Sequence, residues 1–157
     1  MIPDTLLQRL KQAYTLEWNG IHGYPHWQRV CRIGQRLSQK TGADSHLVTL
    51  FTFCHDIKRE NNSHDPEHGA RAAAFIRRIN SSHLLLPKQG LDMLTYACRE
   101  HSNGHTDAHP TIQTCWDADR LDLGRVDITP RADFLCTPSA KDPGMIAWAR
   151  SLSAPVA

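Results

Sequence analysis

No stretch of the chain approaches the ~18 consecutive apolar residues that a membrane-spanning helix needs, and Lys and Arg never form a block longer than two. The first absence speaks against a membrane span. The second leaves no basic stripe of the kind that general nucleic-acid binding requires. Strand-like alternation of apolar and polar residues is almost missing, and there is no internal repeat or low-complexity tract. The five cysteines, Cys31, Cys54, Cys98, Cys115 and Cys136, include no CxxC pair. Their odd number and wide spacing read as free, buried, reduced thiols rather than a disulfide framework. The opening MIPDTLLQRLKQ has no basic segment followed by an apolar run, so no signal peptide is expected. A cytoplasmic location follows by elimination.

What is present is an ordinary globular composition. The 157 residues are 40% hydrophobic and 22% charged, with a formal charge of +2. One domain is expected over residues 1–157, long enough to bury a core without covalent staples. The unusual count is ten histidines.

The apolar period is close to 3.6 nearly everywhere, which predicts an all-α bundle of six or seven helices. Pro3-Asp4 opens a first helix running to about Trp18, ended by Asn19-Gly20. Pro25 starts a second, stopped by Thr41-Gly42. Asp44 caps a third that ends at His55-Asp56, and a polar loop spans Lys58 to His64. Asp65-Pro66-Glu67 reads as an N-cap and first turn of a fourth helix reaching about Asn80. Pro87 opens a fifth to near Ser102, and a sixth covers about Thr111 to Leu123. After Gly124 the pattern is less regular, with Pro130, Pro138 and Pro143 and a short last helix near Met145 to Leu152.

Residues three and four apart share a helix face. By that rule His26 lies with Val30, Ile33 and Leu37, and His55 with Val48 and Phe51. His68 lies with Ala72, Phe75 and Ile76, His101 with Leu94, Ala97 and Cys98, and Asp119 with Ile112, Cys115 and Trp116. Five helices thus each turn one ligand-capable side chain toward the core, and Asp56 follows His55 directly. Burying imidazoles and carboxylates without partners costs several kcal/mol each by rough solvation estimates. A shared cation removes that penalty. Mixed imidazole and carboxylate donors suit Mn²⁺, Fe²⁺, Co²⁺, Ni²⁺ or Zn²⁺, and the lack of cysteine at these points argues against a closed structural zinc site.

The order of these residues resembles the HD-domain superfamily of metal-dependent phosphohydrolases. The matching segments are His26-Trp27-Gln28-Arg29-Val30, the doublet His55-Asp56, and Asp117-Ala118-Asp119-Arg120-Leu121-Asp122, covering about residues 20–125. The resemblance implies that His26, His55, Asp56 and Asp119 hold one divalent transition metal. Some members add two histidines between the doublet and the last Asp and hold a second ion, with the doublet's Asp bridging; His68 and His101 occupy those places. The implied reaction is hydrolysis of a small phosphate ester, a nucleotide among the candidates, by metal-activated water. Asp56 would then ligate and accept a proton, and His68 or His101 would position phosphate or protonate the leaving oxygen. Two alternatives stand beside it: a diiron oxygenase on the same fold, and a non-catalytic ligand-binding module. Gly23-Tyr24-Pro25 spells the tripeptide of the HD-GYP phosphodiesterases, but there it follows the doublet and here it precedes it, so it reads as a turn and helix start.

Arg29 and Arg71, one turn from His26 and His68, are expected either to grip phosphate bidentately or to pair with a carboxylate such as Asp117. Asp117 reads as an acceptor behind the ligands or as the Arg120 partner, and Asp122 as a residue orienting Asp119. Lys58, Arg59 and Asn61 form a solvated loop or a phosphate-binding rim. His64 and His105 are weaker site candidates. His22, His46, His83 and His109 read as surface or capping residues, and Trp18, Trp27 and Trp116 as core.

Overall fold

The computed structural model of the protein describes residues 1–154, and among them there is helix but no strand. In chain order the helices are α1 (Asp4–Ala13), α2 (Tyr24–Thr41), α3 (Ser45–Cys54), α4 (His68–Ile79), α5 (Lys88–Glu100), α6 (Pro110–Leu121), α7 (Pro138–Lys141) and α8 (Pro143–Ser153). The tally exceeds the expected six or seven because the segment after Gly124 folds into short turns, α7 and α8. None of these helices is long and apolar enough to cross a membrane.

Helices α2 and α6 are central, and α3 packs against both as well as α5. Helix α4 lies along α5. The larger core gathers Leu6, Trp27, Phe51, Phe75, Leu94 and Trp116. A smaller one forms where Val30, Ile33 and Leu37 of α2 and Leu121 of α6 meet Leu135, Ala140, Met145 and Ala149. Helices α2 and α6 are thus buried on two sides, and the C-terminal segment supplies the second cover. Asp117 fixes that cover: its carboxylate accepts from Cys136 N at 2.7 Å, Thr137 N at 2.9 Å and Thr137 Oγ1 at 2.7 Å. It therefore pairs neither with Arg29 nor, within salt-bridge distance, with Arg120.

Local chemistry explains most boundaries. Asp44 caps α3 by accepting from the N–H groups of His46 and Leu47. Gly42, at φ 72°, ends α2 in the left-handed conformation that glycine adopts without strain. Two boundaries differ from expectation. Helix α1 stops at Ala13, not Trp18, because Tyr14 and Trp18 leave the helix to pack edge-on against Trp27 at 5.1 and 5.3 Å. Helix α4 starts at His68, and Asp65 is not its cap. The Asp65 carboxylate instead accepts from Glu60 N at 2.8 Å and from Arg71 Nη2 at 2.7 Å, which folds the 58–67 loop against α4.

Candidate metal centre

The tertiary fold brings all six ligand-capable residues together: His26, His68 and Asp119 from α2, α4 and α6, His55 and His101 from the C-caps of α3 and α5, and Asp56 from the turn after α3. His26 Nε2 lies 3.1 Å from His55 Nε2 and 3.3 Å from Asp119 Oδ1, and His55 Nε2 lies 3.4 Å from Asp119 Oδ1. Asp56 Oδ2 faces the same pair, 3.7 Å from His26 Nε2 and 3.6 Å from His55 Nε2. The other oxygen of Asp56 faces a second pair. Its Oδ1 is 3.2 Å from His68 Nε2 and 3.5 Å from His101 Nε2, and those two nitrogens are 2.9 Å apart. Glycine makes the second pair possible. A Cβ at Gly69 would stand 2.6 Å from the Cys98 carbonyl oxygen, so glycine beside His68 lets α4 close on α5 near His101.

The tautomers follow from the partners. His55 Nδ1 faces the carbonyls of Phe51 and Thr52 at 3.1 Å, His68 Nδ1 that of Asp65 at 2.5 Å, and His101 Nδ1 that of Cys98 at 2.6 Å. A carbonyl only accepts, so each Nδ1 carries the hydrogen and donates. His26 Nδ1 likewise donates to Asp122 Oδ2 at 2.7 Å. In the neutral imidazole each Nε2 is then a lone pair. Four lone-pair nitrogens and two carboxylates converge with their acceptor atoms toward one another. Acceptors facing at 2.9–3.7 Å repel unless positive charge stands between them. Bonds of about 2.1 Å to one cation place neighbouring donors ~3.0 Å apart in octahedral and ~3.4 Å apart in tetrahedral geometry. The donor chemistry and spacing therefore fit divalent metal, with His26, His55, Asp119 and Asp56 Oδ2 as one set and His68, His101 and Asp56 Oδ1 as the other.

The charge states of the two carboxylates and of His101 agree. Burial alone would raise the pKa values of Asp56 and Asp119, but the histidines around them, His55 first, hold both well below the ordinary carboxylate value. Burial depresses the pKa of His101, which keeps its imidazole neutral. His55 differs: burial would lower its pKa, but Asp56 and Asp119 outweigh that and raise it, which favours a proton on Nε2 between the acceptors until a cation takes that place.

The surrounding residues are placed less as expected. Asp122 is fully buried and orients His26, not Asp119. Arg29 grips no open site: its Nε and Nη2 donate to Asp122 Oδ1 and Oδ2 at 2.8 and 3.0 Å. Arg71 is likewise engaged, by Asp65 and the Lys58 carbonyl. Both arginines hold acids that hold ligands. Arg59 donates from Nε to Asp56 Oδ1 at 3.3 Å, which brings that loop residue to the site edge. His22, expected at the surface, is 8% exposed, with Nδ1 3.2 Å from Asp56 Oδ2. The sequence carried no periodic signal for it, because His22 lies in the loop before α2, and only the turn into that helix brings it to Asp56. His64 and His105 are exposed, and His105 pairs with Glu100 at 3.3 Å. His109 caps α6 by accepting from Thr111 N. Trp27 and Trp116 are fully buried, their Nε1 atoms donating to the His22 and Ala97 carbonyls.

No family model matches the chain, and no curated protein matches it. Among solved structures it is similar to that of a predicted HD superfamily hydrolase from an uncultured Thermotogales bacterium, with a TM-score of 0.72 at 20% sequence identity. The match covers 94% of this chain and 84% of the other. At that identity the likeness is one of fold: this chain is an all-helical protein with the fold of an HD superfamily structure, carrying a buried His/Asp cluster at its centre.

Proposed function

We propose that the protein is a divalent-metal-dependent phosphohydrolase acting on a small phosphate ester, with nucleotides among the candidate substrates. The observation that carries this reading is the convergence of four imidazole Nε2 atoms and two carboxylates in two sets that share Asp56. A divalent cation bound there supplies charge that lowers the pKa of water and polarises a phosphoryl oxygen. The chain's own residues prepare the site. Asp122 and four backbone carbonyls fix the imidazole tautomers. His22 and Arg59 hold the two oxygens of Asp56 in place, one from each side. Because His68 and His101 donate through Nδ1, their Nε2 atoms have no proton to give, and both fit the ligand role better than that of general acid.

The six-donor set supports a second reading, a diiron oxygenase, and one experiment separates the two. The protein is stripped, reloaded with Mn²⁺, Co²⁺, Ni²⁺, Fe²⁺ or Zn²⁺, and assayed for phosphate release and O₂ uptake beside Asp56→Ala. Release that depends on metal and on Asp56 is expected. O₂ uptake by the iron form with no release under any metal would replace hydrolysis with the oxygenase reading.

A further inference from the structure

A cavity of 420 Å³ opens beside the metal centre, within the range of small-molecule sites. His101 and Asp119 both line it, so it reaches both donor sets. Asp119 is also where the centre is most open. Its side chain is 16% exposed, against 0–3% for the other five donors.

The remaining wall comes mostly from the end of α6 and from residues 123–135, most of them after Gly124, where the sequence shows no readable pattern. Its large apolar side chains are Leu123, Ile128, Phe134 and Leu135, and three arginines, Arg120, Arg125 and Arg131, stand among them. Ile128 and Phe134 are half exposed, and with Val126 they make three of the seven exposed large apolar side chains among the described residues. Apolar exposure gathered at the mouth of a cavity marks a binding surface. The polar groups of this wall are mostly engaged already. Arg131 pairs with Asp133, Arg125 donates to the Ile21 and Asp122 carbonyls, and Thr129 accepts from Arg150. Arg120 differs. Its Nη1 donates to the Phe134 carbonyl, while its Nη2 is buried with no hydrogen-bond partner among the described residues.

We infer that the substrate is a phosphate ester of an apolar, ring-bearing alcohol, its organic group lying on Ile128 and Phe134 and its phosphate between the metal centre and Arg120. A polyol would leave hydroxyls unpaired against those two side chains. The Arg131 guanidinium lies over one face of the Phe134 ring, 5.2 Å from its centroid, and the half-exposed ring offers a flat group its remaining surface. This inference rests on the phosphohydrolase reading. Hydrolysis forms one P–O bond to water and breaks the ester P–O bond. The ester oxygen takes a proton, and the alcohol and inorganic phosphate leave.

The test compares 1-naphthyl phosphate with glycerol 2-phosphate on the metal-loaded protein, by steady-state kinetics and by calorimetric binding. KM for 1-naphthyl phosphate is expected about tenfold below that for glycerol 2-phosphate. Phe134→Ala and Ile128→Ala should each narrow that ratio several-fold, and Arg120→Gln should raise both KM values alike. Ile128 and Phe134 are half exposed, so these variants are expected to fold. Equal KM values that no variant separates, with turnover intact, would overturn this inference and leave phosphohydrolase activity standing. Absence of turnover with calorimetric binding of 1-naphthyl phosphate, weakened by Phe134→Ala, would support the pocket and overturn the activity. Absence of both turnover and binding would overturn the inference.

Discussion

Asp122→Asn tests the architecture of the centre most directly. Asp122 is fully buried and makes three charge-assisted contacts, at 2.7 Å to His26 Nδ1 and 2.8 and 3.0 Å to Arg29. An asparagine has one acceptor oxygen and an NH₂ group. Whichever way the amide is turned, an N–H faces either the His26 donor or the Arg29 donor. Removing one partner of a buried pair costs ~3–5 kcal/mol. The Arg29 side chain is 20% exposed and keeps part of its hydration, so a loss of about 2–3 kcal/mol in the metal-free protein is expected. The second effect is on the metal. A ligating histidine that loses its carboxylate partner loses tautomer and orientation, and metal affinity should fall roughly 10–100-fold. Urea denaturation of the stripped protein reads the first quantity, and competition with a chelating indicator reads the second. Arg29→Gln is the control. It leaves the His26–Asp122 bond in place, so it should lower stability while changing metal affinity by no more than about threefold. If Asp122→Asn loses stability but binds metal like the parent protein, the reasoning that Asp122 sets His26 as a ligand is wrong.

Two further outcomes follow from the structure. Asp117→Ala removes the acceptor of three bonds to residues 136 and 137, so it should free the C-terminal cover and cost about 2–3 kcal/mol; limited proteolysis should cut first between residues 124 and 137, and a cleavage pattern identical to the parent's would count against this docking. Burial alone would raise the pKa of Asp65, but the Glu60 N–H and Arg71 outweigh it and hold the carboxyl below its ordinary value. The stability this contributes is complete above the unfolded value of about 3.9 and is lost as pH falls through the lower folded value. The stability difference between the parent and Arg71→Gln, measured in urea at pH 6 and again near pH 3, should therefore shrink on acidification; a difference that stays constant would show that Asp65 is not its source.

The helices and the inward residues of the centre were legible in the sequence because both are written locally. A 3.6 period places His26, His55, His68, His101 and Asp119 on buried faces whatever the rest of the chain does, and Asp56 follows from its neighbour. Local rules failed where long-range packing competed with them. Tyr14 and Trp18 left α1 for Trp27, and Asp65 left the capping position for Arg71, because burial and a charge-assisted bond outweigh a helix end.

The sequence by itself determined the all-helical class and which side chains turn inward. Only the tertiary structure decided what each one meets there. Arg29 finds Asp122 across 93 residues and His22 finds Asp56 across 34. Those distances close only when α2 packs against α3 and α6. The cavity wall at residues 125–135 belongs to the same class: its shape comes from Asp117 pinning the chain onto α6, and no periodicity within that stretch encodes it.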